Sequence, residues 1–260
     1  MLVDSHCHLN YPGLIENIEA TVSRAMNANV GYMLSISTKL NEFSSVLDIA
    51  ESFSNVGCTV GTHPHESNSE TQTDVSSLVD LTKHPKVLGI GETGLDFYYD
   101  NAPREVQETS FRTHIQASRE TQLPIIIHTR NADKRTIDII NEEQKIGYFP
   151  GLIHCFSGGI ELAECAMGHG MAISLSGIIT FKTAEDIRKT VKGVPLEHIL
   201  LETDAPFLAP APHRGKTNEP AFVAHTASKA AEIFNVEPEI IAEITTNNFF
   251  KLFPKAIRPV

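Results

Sequence analysis

The sequence predicts an α/β fold, a (β/α)8 TIM barrel formed as a single domain over residues 1–260. Three observations predict it. Short apolar runs alternate with amphipathic stretches at intervals of about 25–35 residues, as repeated strand–helix units do. The length, 260 residues, suits a barrel, which commonly needs ~250. Histidines and carboxylates fall at the ends of the apolar runs, the rim on which barrel enzymes build their sites.

The first strand is expected at 2–6, followed by a helix at 14–28. The run Gly31-Tyr32-Met33-Leu34-Ser35-Ile36 marks the second strand, 31–37, before a helix at 40–53. A third strand at 56–61 leads to a helix at 74–83, and Val87-Leu88-Gly89-Ile90 opens the fourth strand, 87–92. Pro103 followed by Arg-Glu-Val-Gln-Glu starts a helix over 103–120, with proline in the first turn and acids near its positive end. Ile125-Ile126-Ile127 centres the fifth strand, 124–128, ahead of a helix at 131–143. Strands at 151–154, 171–176 and 198–202 alternate with helices at 159–168 and 183–192, and two helices, 220–234 and 237–250, close the chain. Runs this short, bounded by Gly, Pro or polar residues, suit strands buried on both faces. Such alternation implies parallel pairing with right-handed crossovers. Closure into a barrel is the economical arrangement; a doubly wound open sheet is the alternative. The proline-rich stretch from Asp204 to His213 follows strand eight directly and reads as an ordered loop over the barrel mouth.

Hydrophobic residues make up 41% of the chain, enough for a real core. No apolar run approaches the ~18–20 residues needed to span a bilayer. The start Met-Leu-Val-Asp-Ser-His lacks a basic segment followed by an apolar one, so no signal peptide and a cytoplasmic location are expected. Cys7, Cys58, Cys155 and Cys165 form no CxxC pair and read as reduced thiols. On a strand, Cys7 points away from its neighbours His6 and His8. The formal charge of −11 argues against a broad nucleic-acid-coating surface, yet leaves room for a polyanion met at bound cations.

His6 and His8 end strand one, Glu92 strand four, His128 strand five and His154 strand six, and Asp204 lies just past strand eight. His-x-His puts two imidazoles on one face of a strand, able to share an ion. A lone histidine is ordinarily a hydrogen-bonded core residue; six ligand-type side chains at successive strand ends make that reading poor. Six exceed one tetrahedral shell, so two divalent ions are expected. His6, His8 and Asp204 are assigned to the first, His128 and His154 to the second, and Glu92 to both as a bridge. A water between the ions would be the nucleophile, with Asp204 accepting its proton or orienting it. Four histidines favour Zn²⁺, while carboxylates and open water positions admit Mg²⁺ or Mn²⁺.

Other rim residues fit substrate contacts. His63 at the end of strand three, His65 beyond it, Arg130 and Arg214 are candidates for holding phosphate, with Lys216 nearby. For each, a structural or plain surface role is the competing reading. Glu202 either orients a ligand histidine or joins an ion pair inside the barrel. Gly91-Glu92-Thr93-Gly94 lacks the spacing and lysine of a phosphate-cradling loop, and the serines lack a nucleophile elbow.

Five stretches, Val3-Asp4-Ser5-His6-Cys7-His8-Leu9, Gly61-Thr62-His63-Pro64-His65, Gly91-Glu92-Thr93-Gly94-Leu95-Asp96-Phe97-Tyr98, His154-Cys155-Phe156-Ser157-Gly158 and Glu202-Thr203-Asp204-Ala205-Pro206, resemble the TatD family of metal-dependent deoxyribonucleases. The stretch Pro212-His213-Arg214-Gly215-Lys216-Thr217-Asn218-Glu219-Pro220 is most similar to its YcfH branch. The resemblance implies an amidohydrolase-like barrel and a Mg²⁺- or Mn²⁺-dependent nuclease, with several relatives acting 3′→5′ on single strands. It carries the metal-ligand role onto His6, His8, Glu92, His128, His154 and Asp204. The expected partner is therefore single-stranded nucleic acid, DNA or RNA, with no membrane or protein partner. Few basic residues at a mouth capped by residues 204–219 suit a free strand end. The rival readings are hydrolysis of a small amide, lactone or ester, and a tRNA-editing esterase, since the same cage serves that chemistry.

Overall fold

A computed structural model describes residues 1–99 and 101–259, so Asp100 and Val260 of the expected domain lie outside it. Its strands are β1 (Leu2–Cys7), β2 (Val30–Ser35), β3 (Val56–Val60), β4 (Val87–Asp96), β5 (Ile125–Arg130), β6 (Gly151–Ile153), β7 (Ala172–Leu175) and β8 (Ile199–Leu201). Between them run α1 (Ile18–Asn27), α2 (Phe43–Ser52), α3 (Val75–Leu81), α4 (Arg104–Thr121), α5 (Asp133–Ile146), α6 (Ile160–Gly168) and α7 (Glu185–Lys192). Helices α8 (Val223–Phe234) and α9 (Pro238–Leu252) follow the last strand.

Each strand pairs in parallel with the next in sequence, from β1 to β8. Closure comes just beyond β8, where Cys7 and Ala205 form a parallel bridge. His8 N donates to Ala205 O at 2.7 Å and Asp204 N to His6 O at 2.9 Å. A side chain joins this seam. Asp4 takes the Thr203 amide on Oδ1 at 2.9 Å and meets the Thr203 hydroxyl with Oδ2 at 2.5 Å. The sheet is thus a TIM barrel and not an open doubly wound sheet.

Two layers of core follow from strand alternation. Met33, Val56, Ile90, Ile125, Ile127 and Ile173 pack outward against helix residues such as Val46, Phe111, Ile115 and Ile139. Val3, Leu34, Leu88, Ile126, Leu152 and Leu200 form the second layer with Phe249 of α9 and Phe253 just after it, which plug the N-terminal end. Asn248 secures that plug by donating to the carbonyls of Leu196 and Ile199 at 2.7 and 2.9 Å. The filled bottom leaves the C-terminal rim for chemistry.

The helices carry local signals for their ends. Asp74 caps α3 by accepting from Ser77 N at 2.7 Å. Pro103 precedes the first residue of α4, whose last turn closes on Gln122 in the left-handed region. The main departure from expectation is β4, which continues four residues past Glu92 and pairs Leu95 with Thr129 and Asp96 with Arg130. Gly94, at φ +135°, permits this, because a side chain there would strike the His128 carbonyl. The 204–219 loop is tied down by Asn218, whose Nδ2 donates to the carbonyls of Thr203 and Phe207 at 2.8 and 2.6 Å. Among the described residues no helix is long and apolar enough to cross a membrane.

Candidate metal centre

The barrel brings His6, His8, Glu92, His128, His154 and Asp204 into one cluster at its C-terminal rim. Glu92 lies at the middle of it. Its Oε2 is 3.3 Å from His6 Nε2 and 3.9 Å from His8 Nε2. Asp204 Oδ1 stands 3.6 and 3.3 Å from the same two nitrogens. The other oxygen, Glu92 Oε1, is 2.8 Å from His154 Nε2 and 3.0 Å from His128 Nδ1, and these two nitrogens are 3.2 Å apart. One carboxylate therefore faces two separate groups of imidazoles.

Four of these seven spacings, those of 3.0, 3.2, 3.3 and 3.3 Å, match ligand atoms that share a cation. Two ligand atoms bound at ~2.1 Å to one ion, at tetrahedral or octahedral angles, lie roughly 3.0–3.4 Å from each other. Neither nitrogen of the buried His6, nor Nδ1 of His8, has a hydrogen-bond partner in the protein. Buried polar atoms left so are costly unless something else occupies them. His6, His8 and Glu92 also form one of the compact donor groups that could hold an ion. The donor set fits divalent metal.

The electrostatics run the same way. Burial would raise the Glu92 pKa, but His154, His63 and His6, with the hydrogen bond from His128, outweigh it and hold the carboxyl well below the ordinary range. Burial opposes charge on His154, yet Glu92 and Glu202 lift it well above normal. Burial and the neighbouring His154 lower His6. Asp204, despite burial, is lowered by its bond to His8 and by nearby histidines. Before any ion arrives, two carboxylates and several imidazoles already form a strongly coupled set.

Carboxylates stand behind two of the rings, Asp96 hydrogen-bonded to His128 and Glu202 in charge contact with His154. His154 Nδ1 is 3.4 Å from Glu202 Oε1, and His128 Nε2 is 3.2 Å from Asp96 Oδ2. Imidazoles that bind metal through one nitrogen commonly give the other to a carboxylate. Asp96 was not among the residues singled out from the sequence. It is buried, and its Oδ2 also takes His65 Nε2 at 2.9 Å. Its Oδ1 accepts the amides of Tyr98 and Tyr99 at 2.9 and 3.0 Å, shaping the turn after β4. The apolar Leu95 beside it, in alternation beyond Gly94, was the signal that β4 runs on.

The remaining rim candidates separate. His63 Nδ1 accepts from His65 N at 3.1 Å, which leaves Nε2 as the protonated nitrogen of a neutral ring. That nitrogen lies 3.5 Å from Glu92 Oε1. Burial pushes His63 well below its usual pKa, so the ring is a neutral donor aimed at the centre. Arg130 ends β5 with its guanidinium 4.4 and 4.7 Å from the ring centres of Tyr98 and Tyr99. Arg214 lies 3.6 Å over the Phe181 ring and 3.4 Å from Ala209 O, where it joins the 204–219 loop to the loop after β7. Lys216 is exposed in that loop. Cys7 points into the outer core with its thiol toward Leu34 O at 3.4 Å, and all four cysteines are free.

Residues 3–254 match the family model of TatD-related DNases. The uncharacterized metal-dependent hydrolase YcfH of Escherichia coli (strain K12) is 40% identical over 255 residues, covering 97% of this chain and 95% of that protein. The 3'-5' ssDNA/RNA exonuclease TatD of Salmonella typhimurium is 30% identical over 238 residues, covering 89% of this chain and 91% of its own length. Among solved structures, the TatD homologue YJJV of Escherichia coli K12 superposes with a TM-score of 0.87 at 27% identity, covering 97% of this chain and 98% of that one.

Proposed function

The chain belongs to the TatD family of metal-dependent hydrolases, and from that premise we propose that it is a phosphodiesterase removing nucleotides 3′→5′ from single-stranded DNA or RNA. Residues 1–260 act as one hydrolase domain in the cytoplasm. The observation that carries the reading is Glu92, with one carboxylate oxygen at each of two histidine groups. His6, His8 and Asp204 would hold one divalent ion, His128 and His154 a second, with Glu92 shared; Mg²⁺ or Mn²⁺ suits activity, and Zn²⁺ suits the donor set. When bound, the ions supply Lewis acidity, which acidifies water and neutralises charge on the attacking and leaving oxygens.

The chain's own residues do the rest. Asp204 is the more accessible carboxylate, its side chain 14% exposed against 3% for Glu92, so a water can reach it. Held low in pKa, it is ionised and ready to orient that water and accept its proton. His63 offers its Nε2–H to a phosphoryl oxygen, while His65 is held by Asp96 beside it. Arg130, against Tyr98 and Tyr99, and Arg214, over Phe181, remain solvent-exposed at the rim, where each would meet a flanking phosphate. The 3′→5′ direction on a single strand rests on the Salmonella relative's name.

The test sets a linear single strand, labelled at either end, against its closed circular form, beside a panel of small esters, lactones and aminoacyl esters. Stepwise loss from the 3′ end of the linear strand alone is the expected result. Equal cutting of the circle would overturn the exonuclease reading. Turnover of a small ester with nucleic acid untouched would overturn the phosphodiesterase reading.

A further inference from the structure

Aromatic rings stand on two sides of the mouth. Tyr98 and Tyr99, directly after β4, are 56% and 51% exposed, although the fold buries Phe111, Phe149 and Phe156 completely or nearly so. Phe207, in the segment after β8, is 49% exposed and meets Tyr11 edge-on at 6.0 Å. Strands four apart in an eight-stranded barrel lie across it from one another. The tyrosine pair and the Phe207–Tyr11 pair therefore flank the Glu92 cluster from opposite sides of the C-terminal rim.

Both pairs are coupled to the cluster. Tyr99 stands edge-on to His65 at 5.4 Å, and Asp96 joins His65 to His128. Across the mouth, Tyr11 stacks on His8 at 4.8 Å and Phe207 approaches the same ring at 6.1 Å. Asp96 also holds the Tyr98 and Tyr99 amides, so the tyrosine pair is built onto the same carboxylate that steadies His128.

Charge says what these rings meet. The chain carries 21 Lys and Arg against 32 Asp and Glu, so counterion release cannot supply much of the affinity for a polyanion. Stacking of bases on aromatic faces can, and it tolerates any base. We propose that Tyr98 and Tyr99 form a base-stacking subsite for the nucleotide on one side of the scissile phosphate, and that the Phe207–Tyr11 pair receives the base on the other side. Arg130 lies 4.4 and 4.7 Å from the centres of these two rings, so its charge is adjacent to the phosphate of a base stacked there. The subsite rests on the phosphodiesterase reading above.

The test uses the metal-loaded enzyme with linear single strands that carry an abasic tetrahydrofuran residue at the terminal or the penultimate position. With wild-type protein, one such residue is expected to raise KM about tenfold. The Tyr98→Leu/Tyr99→Leu variant should raise KM on the normal strand by a similar factor, with the loss in KM rather than kcat. It should no longer respond to the abasic residue at that position. Tyr98→Phe/Tyr99→Phe, which keeps the ring faces, should bring KM back toward wild type. A wild-type KM indifferent to abasic residues at both positions, or a leucine variant whose response at both positions equals that of wild type, overturns the subsite and leaves the phosphodiesterase reading standing. If the double variant fails to fold, the single Tyr98→Leu and Tyr99→Leu variants, at side chains 56% and 51% exposed, carry the same comparison. If wild-type protein cuts no normal strand, the phosphodiesterase reading falls and the subsite with it.

Discussion

His154 Nδ1 lies 3.4 Å from Glu202 Oε1, while Nε2 of the same ring is 2.8 Å from Glu92. Glu202 is fully buried and its second oxygen takes the Ser174 hydroxyl, so the carboxylate is itself fixed. Its other oxygen stands on the side of the His154 ring away from Glu92, where a charged carboxylate favours a proton on Nδ1 and leaves Nε2 for the centre. Glu202→Gln keeps the shape and removes the charge, and should weaken the second ion about ten- to a hundredfold. Competition with a chromogenic chelator reads this directly. Unchanged affinity in a folded variant would reduce Glu202 to a partner within the barrel interior.

Asp96 does similar work for His128, and its two oxygens divide the task. Oδ2 meets His128 and His65, and Oδ1 holds the turn that carries Tyr98 and Tyr99. Asp96→Asn can keep the turn but presents an amide NH₂ to one of the two edges. Metal affinity and kcat should each fall about tenfold while the melting temperature moves little. A variant with wild-type metal binding and turnover would contradict the assignment.

The contrast between Asp96 and Glu92 shows what the sequence can disclose. Glu92, His6, His8, His128 and His154 could be placed on one rim because each ends or follows an apolar run, and strand polarity does the rest. Asp96 could not, since Gly91 and Gly94 interrupt the apolar pattern and make β4 look finished at Glu92. The continuation depends on β5 pairing alongside, a long-range contact whose local trace is the single apolar Leu95 beyond Gly94. Arg130 illustrates the same limit. Its position after His128 was plain, but its seat against Tyr98 and Tyr99 depends on the extra length of β4. The seam contact between Asp4 and Thr203 spans almost the whole chain and was equally out of reach.

That seam carries a pH signature. Burial, opposed by its bonds to Thr203 and His6, raises the Asp4 pKa from 3.8 to about 8. Between those values the folded protein keeps a proton that the unfolded chain has lost, so this group's contribution is full below about pH 4 and declines as pH rises through about 8. Asparagine mimics the protonated acid and still accepts the Thr203 amide. Asp4→Asn should therefore gain in melting temperature relative to wild type as pH rises across that window. Parallel profiles at equal metal content would show that Asp4 does not carry the proton.

The centre itself is tested by counting ions. The chelated protein is titrated with Mn²⁺, and bound metal per chain is recorded beside hydrolysis of a linear single strand on the same samples. The account predicts close to two ions per chain, with activity rising as the second site fills. Glu92→Ala should lose the paired binding and at least a hundredfold in rate, ~3 kcal/mol of transition-state stabilisation. Full turnover by metal-free wild-type protein, or two tightly held ions and normal turnover in folded Glu92→Ala, would contradict it.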